Sequence, residues 1–176
     1  AANGTARRMA YWDWPAAPGA DAHRVVLCVH GLSRQGRDFD TLAGELSKQA
    51  RVLAVDVAGR GNSDWLADPM AYQVGTYVAD LAALIMQLRE QDPVVQIDWV
   101  GTSMGGLIGM ALAAQPAFGL RRLVLNDVGP VIQWEALQRI GTYLGLNPSF
   151  GSAKEASDQL AAISVGFGPH TPEQWL

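Results

Sequence analysis

A lone cysteine, Cys28, leaves no partner for a disulfide within the chain. It lies inside the apolar run Val25-Val26-Leu27-Cys28-Val29, where a thiol reads as a buried core residue and fits a reducing cytosol. Histidine is almost as scarce: His23, His30 and His170 are the only three. No grouping of Cys and His has metal-ligand spacing, so no metal is expected. Long hydrophobic runs are also missing. The longest, Met104 to Ala114, is too short to span a bilayer, and no membrane partner is expected. Ala1 to Thr5 lacks the apolar core of a secretory signal, which with the lone thiol points to a cytoplasmic location. The absent initial Met suggests a trimmed N-terminus or residues ahead of Ala1. Charge is sparse: 17% of residues are charged, and the formal net charge is −4. Lys and Arg form no long patch, which argues against nucleic acid as a partner.

What is there is globular: 176 residues, 49% of them hydrophobic, are enough for a core. Arg8 to Trp14 reads as a first strand, ended by Pro15 and a loop to Gly19. Arg24 to Val29 is nearly continuous in apolar residues, as suits a strand buried on both faces of a parallel sheet. Val52 to Val55, Val94 to Val100 and Arg122 to Leu125 follow the same rule. Between them Phe39, Leu42, Ala43 and Leu46 recur at helical spacing, with Asp38 as the expected N-cap. Val78, Leu81, Ala82, Ile85 and Leu88 make a second stripe, with Thr76 near its start and Asp92-Pro93 as its stop. Leu107 to Ala114 is a third helix, closed by Pro116. This alternation predicts an α/β fold, a mainly parallel sheet with flanking helices, over residues 1–130. Beyond Pro130 no strand pattern returns. Helices are expected from Ile132 to Leu144, from Ala153 to Ile163 and from Pro172 onward. Residues 131–176 therefore read as a helical appendage, incomplete at Leu176.

The aromatic residues divide accordingly. Trp12, Trp14 and Trp99 fall in strands and are expected in the core. Trp65 follows a loop and suits a pocket wall or the core equally. Trp134, Tyr143, Phe150, Phe167 and Trp175 are expected to form most of a small core in the appendage, with one or two facing substrate.

Four loops that follow strands carry the chemistry. They are His30-Gly31-Leu32-Ser33, Asp56-Val57-Ala58-Gly59-Arg60-Gly61-Asn62-Ser63-Asp64, Gly101-Thr102-Ser103-Met104-Gly105-Gly106 and Asn126-Asp127-Val128-Gly129-Pro130. The third has the Gly101-x-Ser103-x-Gly105 pattern of a nucleophile elbow, between a strand and a helix. So sharp a turn strains the serine backbone and crowds the chain on both sides, which leaves room only for glycine at 101 and 105. Ser103 then stands at a helix N-terminus, where free N–H groups and the helix dipole favour developing negative charge. Alone, the tripeptide pattern arises by chance in about one chain in twenty of this length. The plainer reading is a Gly-rich turn with a solvated serine. The Gly59-x-Gly61 pair lacks a third glycine and opens no helix, so it is a turn device and not a dinucleotide fingerprint.

In this order and on these elements, the four loops resemble those of the α/β-hydrolase family, in the branch with a helical cap after the sixth strand. The resemblance covers essentially the whole chain. It implies Ser103 as nucleophile, with the N–H groups of Met104 and Leu32 as the oxyanion hole. His30, Gly31, Gly101 and Gly105 would support that site, His30 by bracing its loop. No cofactor is implied, since serine chemistry is self-sufficient. Serine at 103 argues against the aspartate-nucleophile relatives, the haloalkane dehalogenases and epoxide hydrolases. The family's usual acid and histidine follow on later strands, so the chain resembles the N-terminal part of such a protein, truncated before them. Within the chain Asp127 is the candidate acid, its plainer role being to cap the Gly129-Pro130 turn. His170 is a candidate base, against a surface-loop histidine.

The function expected of the complete protein is hydrolysis of a small, largely apolar ester or of a carbon–carbon bond beside a carbonyl. The alternative is a non-catalytic module that holds a small ligand on the same scaffold. A small-molecule partner is expected either way. Residues 1–176 alone should be nearly inactive. Their apolar edge strand, Arg122 to Leu125, should pair with a second copy or with a completing chain segment. Arg34 and Arg37, near the oxyanion loop, either meet a substrate carboxylate or are simply solvated.

Overall fold

Alternation along one central strand divides the core in two. A computed structural model describes residues 7–142, 144–146, 148–164, 166 and 168–175. Ala1 to Thr5, Tyr143, Phe167 and Leu176, on which expectations were placed above, lie outside the described residues. The strands are β1 (Tyr11–Trp14), β2 (Arg24–Val29), β3 (Arg51–Val55), β4 (Gln96–Thr102) and β5 (Arg122–Asn126). They form a single sheet in the order β1-β3-β2-β4-β5. β1 runs antiparallel to β3, and the remaining pairings are parallel, with Val29 in register with both Val55 and Gly101. Parallel neighbours need long crossover connections. Here these carry α1 (Asp40–Leu46), α2 (Val74–Gln91) and α3 (Met104–Ala113).

On β2, Val25, Leu27 and Val29 point to one cluster. It joins Leu53, Val55, Ile97 and Trp99 to the stripe Tyr77, Leu81, Ile85 and Leu88 of α2 and to Met104, Ile108 and Leu112 of α3. Val26 and Cys28 point to the other, with Val52, Ala54, Phe39, Ala43 and the half-buried Trp12 and Trp14. Period two thus places an apolar residue on both faces at every step, which is why the run is unbroken. Burial pushes the Cys28 thiol up to about 12.

Two boundaries differ from expectation. Asp38 is not the N-cap of α1. A 3-10 turn, Gly36–Phe39, comes first, Phe39 takes the cap position without a side-chain bond, and Asp38 pairs with Arg34 at 2.5 Å. β1 begins at Tyr11 rather than Arg8, while α2 begins at Val74, with Thr76 near its start as expected. Trp65 is 78% exposed, so it is not a core residue.

The chain divides into two compact units, Ala1–Trp134 and Glu135–Leu176. Helix α4 (Trp134–Gly141) starts at their boundary, and α5 (Ala153–Ile163) and α6 (Pro172–Trp175) lie in the second unit. α5 opens on a capping serine: Ser152 Oγ accepts from the Glu155 N–H at 3.2 Å. The described aromatic residues of this stretch do not build the expected small core. Trp134 and Phe150 are exposed, and Trp175 is half-buried, its ring 5.0 Å from that of His170. Their helices are short and amphipathic, and much of their apolar surface stays uncovered. At the β5 edge of the sheet, Val124 is 52% exposed and Leu125 is exposed too. No described helix is long and apolar enough to cross a membrane.

A polar staple closes the sheet at the end away from the elbow. Asp98 of β4 is 5% exposed. It accepts from Arg24 Nε at 2.8 Å and from Arg121 Nε and Nη2 at 2.9 and 2.5 Å, so one carboxylate joins β2, β4 and the approach to β5. Asp98→Ala should destabilise the fold by about 1–3 kcal/mol, since two half-covered guanidinium groups lose their acceptor. Arg24→Ala should cost less, because Arg121 still grips the carboxylate with two donors. Urea denaturation of both variants checks this order.

Candidate active site

The turn between β4 and α3 is as tight as the sequence demands. A Cβ at Gly105 would collide with the Val29 carbonyl, and a Cβ at Gly101 with the backbone of Gly105 and Gly106. Ser103 between them takes φ 50° and ψ −113°. A non-glycine residue holds such a conformation only where its surroundings over-determine it. Here the Ser103 N–H donates to the Asn126 carbonyl at 2.9 Å, and the Ser103 carbonyl accepts from Gly106 and Leu107 at 2.9 and 3.1 Å. Trp99, fully buried, donates its indole N–H to the Gly105 carbonyl at 3.0 Å. A serine at a helix N-cap ordinarily bonds the first turn. Ser103 makes no such cap bond, and its hydroxyl has no hydrogen-bond partner among the described residues.

The loop after β2 lies against this serine: a Cβ on Gly31 would stand 3.6 Å from the Ser103 Cβ. Neither Leu32 N–H nor Met104 N–H has a hydrogen-bond partner among the described residues. Met104 opens α3, where the first N–H groups have no intrahelical acceptor. Leu32 is oriented by His30. The His30 ring is 1% exposed, with Nδ1 2.7 Å from the Gly31 carbonyl and Nε2 accepting the Val57 N–H at 3.2 Å. A carbonyl only accepts and an N–H only donates, so the ring is neutral with its proton on Nδ1. Burial holds its pKa below the usual 6.5; the bond to Gly31 offsets part of this.

The loop after β3 adds a second layer. Asp56, fully buried, accepts from the Gly36 N–H at 2.7 Å and the Asn62 N–H at 3.0 Å, and its carbonyl accepts from Ser63 Oγ at 2.5 Å. Gly59 and Gly61 turn the chain with φ of 77° and 49°. Arg60 reaches across to the Leu32 carbonyl, Nε to O 2.9 Å. No local pattern announced this bond, which links residues far apart in sequence. The only available hint was an arginine between two turn glycines. Arg34 and Arg37 are taken up by Asp38 and Asp40, and Arg37 also lies 4.6 Å over the Trp12 ring.

Asp127 follows β5 and is exposed, with φ 55° and no hydrogen bond to its side chain among the described residues. Among the described non-glycine residues only Ser103 and Asp127 have positive φ. They succeed Thr102 and Asn126, which are in register on adjacent strands and joined by Asn126 Nδ2 to Thr102 Oγ1 at 3.2 Å. The other histidines stand apart from this cluster in their bonding. His23 pairs with Asp92 at 2.8 Å, and His170 Nδ1 lies 3.0 Å from the Gly168 carbonyl in the second unit. Among the described residues no group of His, Cys, Asp and Glu could hold a metal ion.

Parallel strands in this order, with a strained turn from strand to helix at the C-terminal edge, are the architecture of an α/β hydrolase. The chain belongs to the α/β-hydrolase family: residues 20–154 match the hydrolase family described as serine aminopeptidase, S33. A 3-hydroxybutyrate-oligomer hydrolase of Cupriavidus necator is 52% identical over 170 residues, covering 96% of this chain and 55% of that protein. The crystal structure of a hydrolase from Rickettsia typhi has a TM-score of 0.85 at 32% identity, over 96% of this chain and 57% of its own. An α/β hydrolase from Novosphingobium aromaticivorans has a TM-score of 0.79 at 35% identity, over 96% of this chain and 61% of its own. This chain therefore spans little more than half the length of each.

The neutral His30 has a consequence for pH. The unfolded residue takes up a proton near pH 6.5, the folded one only at lower pH. Between those values the unfolded state binds more protons, so stability falls as pH drops from 6.5 through the folded pKa and is fully present above 6.5. His23, raised by its bond to Asp92, acts in the opposite sense. In a His23→Gln background, adding His30→Gln should flatten the loss of urea midpoint between pH 6.5 and 5.

Proposed function

We propose that the complete protein is a serine hydrolase of short 3-hydroxybutyrate ester oligomers. Ser103 Oγ attacks the ester carbonyl, and the oxyanion that forms accepts from the N–H groups of Leu32 and Met104. The alcohol leaves, and water then releases the acid from the acyl-serine. The observation that carries this reading is Ser103 itself. A strained serine that does not cap its own helix, with two N–H groups at hand that have no partner among the described residues, is costly to hold and useful for acyl transfer. The substrate class comes from the relative that is 52% identical and is named for hydrolysis of 3-hydroxybutyrate oligomers.

The reaction needs a base for the serine proton. His30 is unsuited, since both of its ring nitrogens are engaged in bracing backbone. His23 is unsuited as well, being paired with Asp92 beside the start of β2. Asp127 is the candidate acid within this chain. Its left-handed backbone and its exposed carboxylate, without a hydrogen bond among the described residues, support that assignment.

A fluorophosphonate probe should label the full-length protein at Ser103, and the protein should release monomer from 3-hydroxybutyrate dimer and trimer. Ser103→Ala should lower kcat by roughly 10⁴-fold or more, and Asp127→Asn by roughly 10²–10⁴-fold if it is the acid. Absence of labelling on an intact fold ends the serine reading. Labelling and cleavage of p-nitrophenyl butyrate, without turnover of the oligomers, would keep the serine and discard the substrate.

A further inference from the structure

The arginines of this chain mostly meet carboxylates. Arg24, Arg34, Arg37, Arg51 and Arg121 each form an ion pair. Among the described residues Arg60 meets only neutral oxygens. Its Nε donates to the Leu32 carbonyl at 2.9 Å, and its Nη1 to the Ala58 carbonyl at 3.0 Å and to the Tyr77 hydroxyl at 3.4 Å. The guanidinium also lies 5.7 Å from the Tyr72 ring centre and 5.9 Å from that of Tyr77. Such stacking holds the planar group in place without cancelling its charge.

Leu32 sits between two peptide planes. The carbonyl and N–H of a trans peptide point in opposite directions. Holding the Gly31 carbonyl, which both His30 Nδ1 and the Arg34 N–H do, therefore aims the Leu32 N–H away from them. The second plane, Leu32 to Ser33, is the central peptide of the turn that the Arg34 N–H closes onto the Gly31 carbonyl, and the freedom left to it is rotation within that turn. Arg60 removes this freedom by holding the Leu32 carbonyl. Downstream, Ser33, Arg34 and Gln35 are exposed, and the next anchor to the loop after β3 is the Gly36 N–H on Asp56. Without Arg60 the turn would be secured through its Gly31 carbonyl, with the Leu32 carbonyl unheld among the described residues.

We propose that Arg60 is a positioning residue for the oxyanion hole: by clamping the Leu32 carbonyl it steadies the turn that carries the Leu32 N–H, so that this N–H, aimed through the Gly31 carbonyl, stays in place when the tetrahedral intermediate forms. The inference rests on the reading of Ser103 as nucleophile and Leu32 N–H as oxyanion donor. Preorganised donors act because they need no reorientation as charge develops. A clamp of this kind changes the transition state and leaves ground-state binding nearly alone. A charge-assisted bond from a guanidinium is stronger than a neutral one, and an ammonium at the end of a lysine does not reproduce its geometry.

The test uses the full-length protein with p-nitrophenyl butyrate as substrate and a trifluoromethyl ketone as the mimic of the tetrahedral intermediate. Arg60→Ala should lower kcat roughly 10–100-fold with KM changed by no more than about two-fold. The inhibition constant of the ketone should rise by the same factor as kcat/KM falls. Arg60→Lys should recover little, and guanidinium ion added to Arg60→Ala should recover part of kcat. Arg60→Gln, a milder change, is measured beside them with melting temperatures, so that the result does not hang on one variant folding. If Ser103→Ala is inactive while the Arg60 variants keep kcat within about three-fold, the clamp is wrong and the serine reading stands. A kcat loss that merely tracks melting temperature, with ketone binding unchanged, also overturns the clamp. Full turnover by Ser103→Ala removes the serine reading, and the clamp with it.

Discussion

Helix α3 approaches the end of β2 very closely. Gly105 lies so near the Val29 carbonyl that no side chain fits between them. A helix seated this tightly on a strand can be entered from β4 only by a sharp reversal, and the reversal falls on Ser103. The same approach brings Gly31, two residues past Val29, beside the serine. Close packing thus does two things at once. It bends the chain at one strand end and carries the neighbouring strand's loop up to the bend. Trp99 secures the arrangement from below through its bond to the Gly105 carbonyl.

Around this contact the loops are held by buried polar groups, and each is bonded. Burying an imidazole or a carboxylate is costly unless its donors and acceptors are met. His30 spends both nitrogens on backbone, and Asp56 gathers N–H groups from two loops. These bonds do for the loops what ladder hydrogen bonds do for the strands. They explain how segments without regular structure hold a fixed shape at the edge of the sheet.

The strands were legible because burial on both faces leaves a plain mark, an unbroken apolar run such as Val25 to Val29. The elbow was legible because glycine is the only residue that tolerates its sterics. Other features left weaker marks. Asp38 looked like an N-cap on local grounds, but a nearby Arg34 offered its carboxylate a charged partner and a 3-10 turn came first. Trp65 could not be placed, since the residues around it do not say whether a neighbour covers it. The aromatic residues near the second unit read as a core, but amphipathic spacing names the apolar face of a helix without naming what packs there. Arg60 left no mark in the sequence for a different reason. Its partners are backbone carbonyls and tyrosines, and the bond to Leu32 joins loops that only the folded sheet brings together.

Burial also governs chemical access to Cys28. Its sulfur lies wholly inside the smaller of the two core clusters, and burial raises its pKa to about 12. The thiolate is the form that reacts with alkylating agents and oxidants, and with the thiol raised this far it is scarce at neutral pH. The chain is thus close to thiol-silent while folded. A cysteine introduced at a surface position such as Trp65 would take a maleimide dye or spin label almost alone, without first removing the native residue. The native thiol would in turn become reactive only when the sheet opens, so its alkylation rate would report on unfolding of the core.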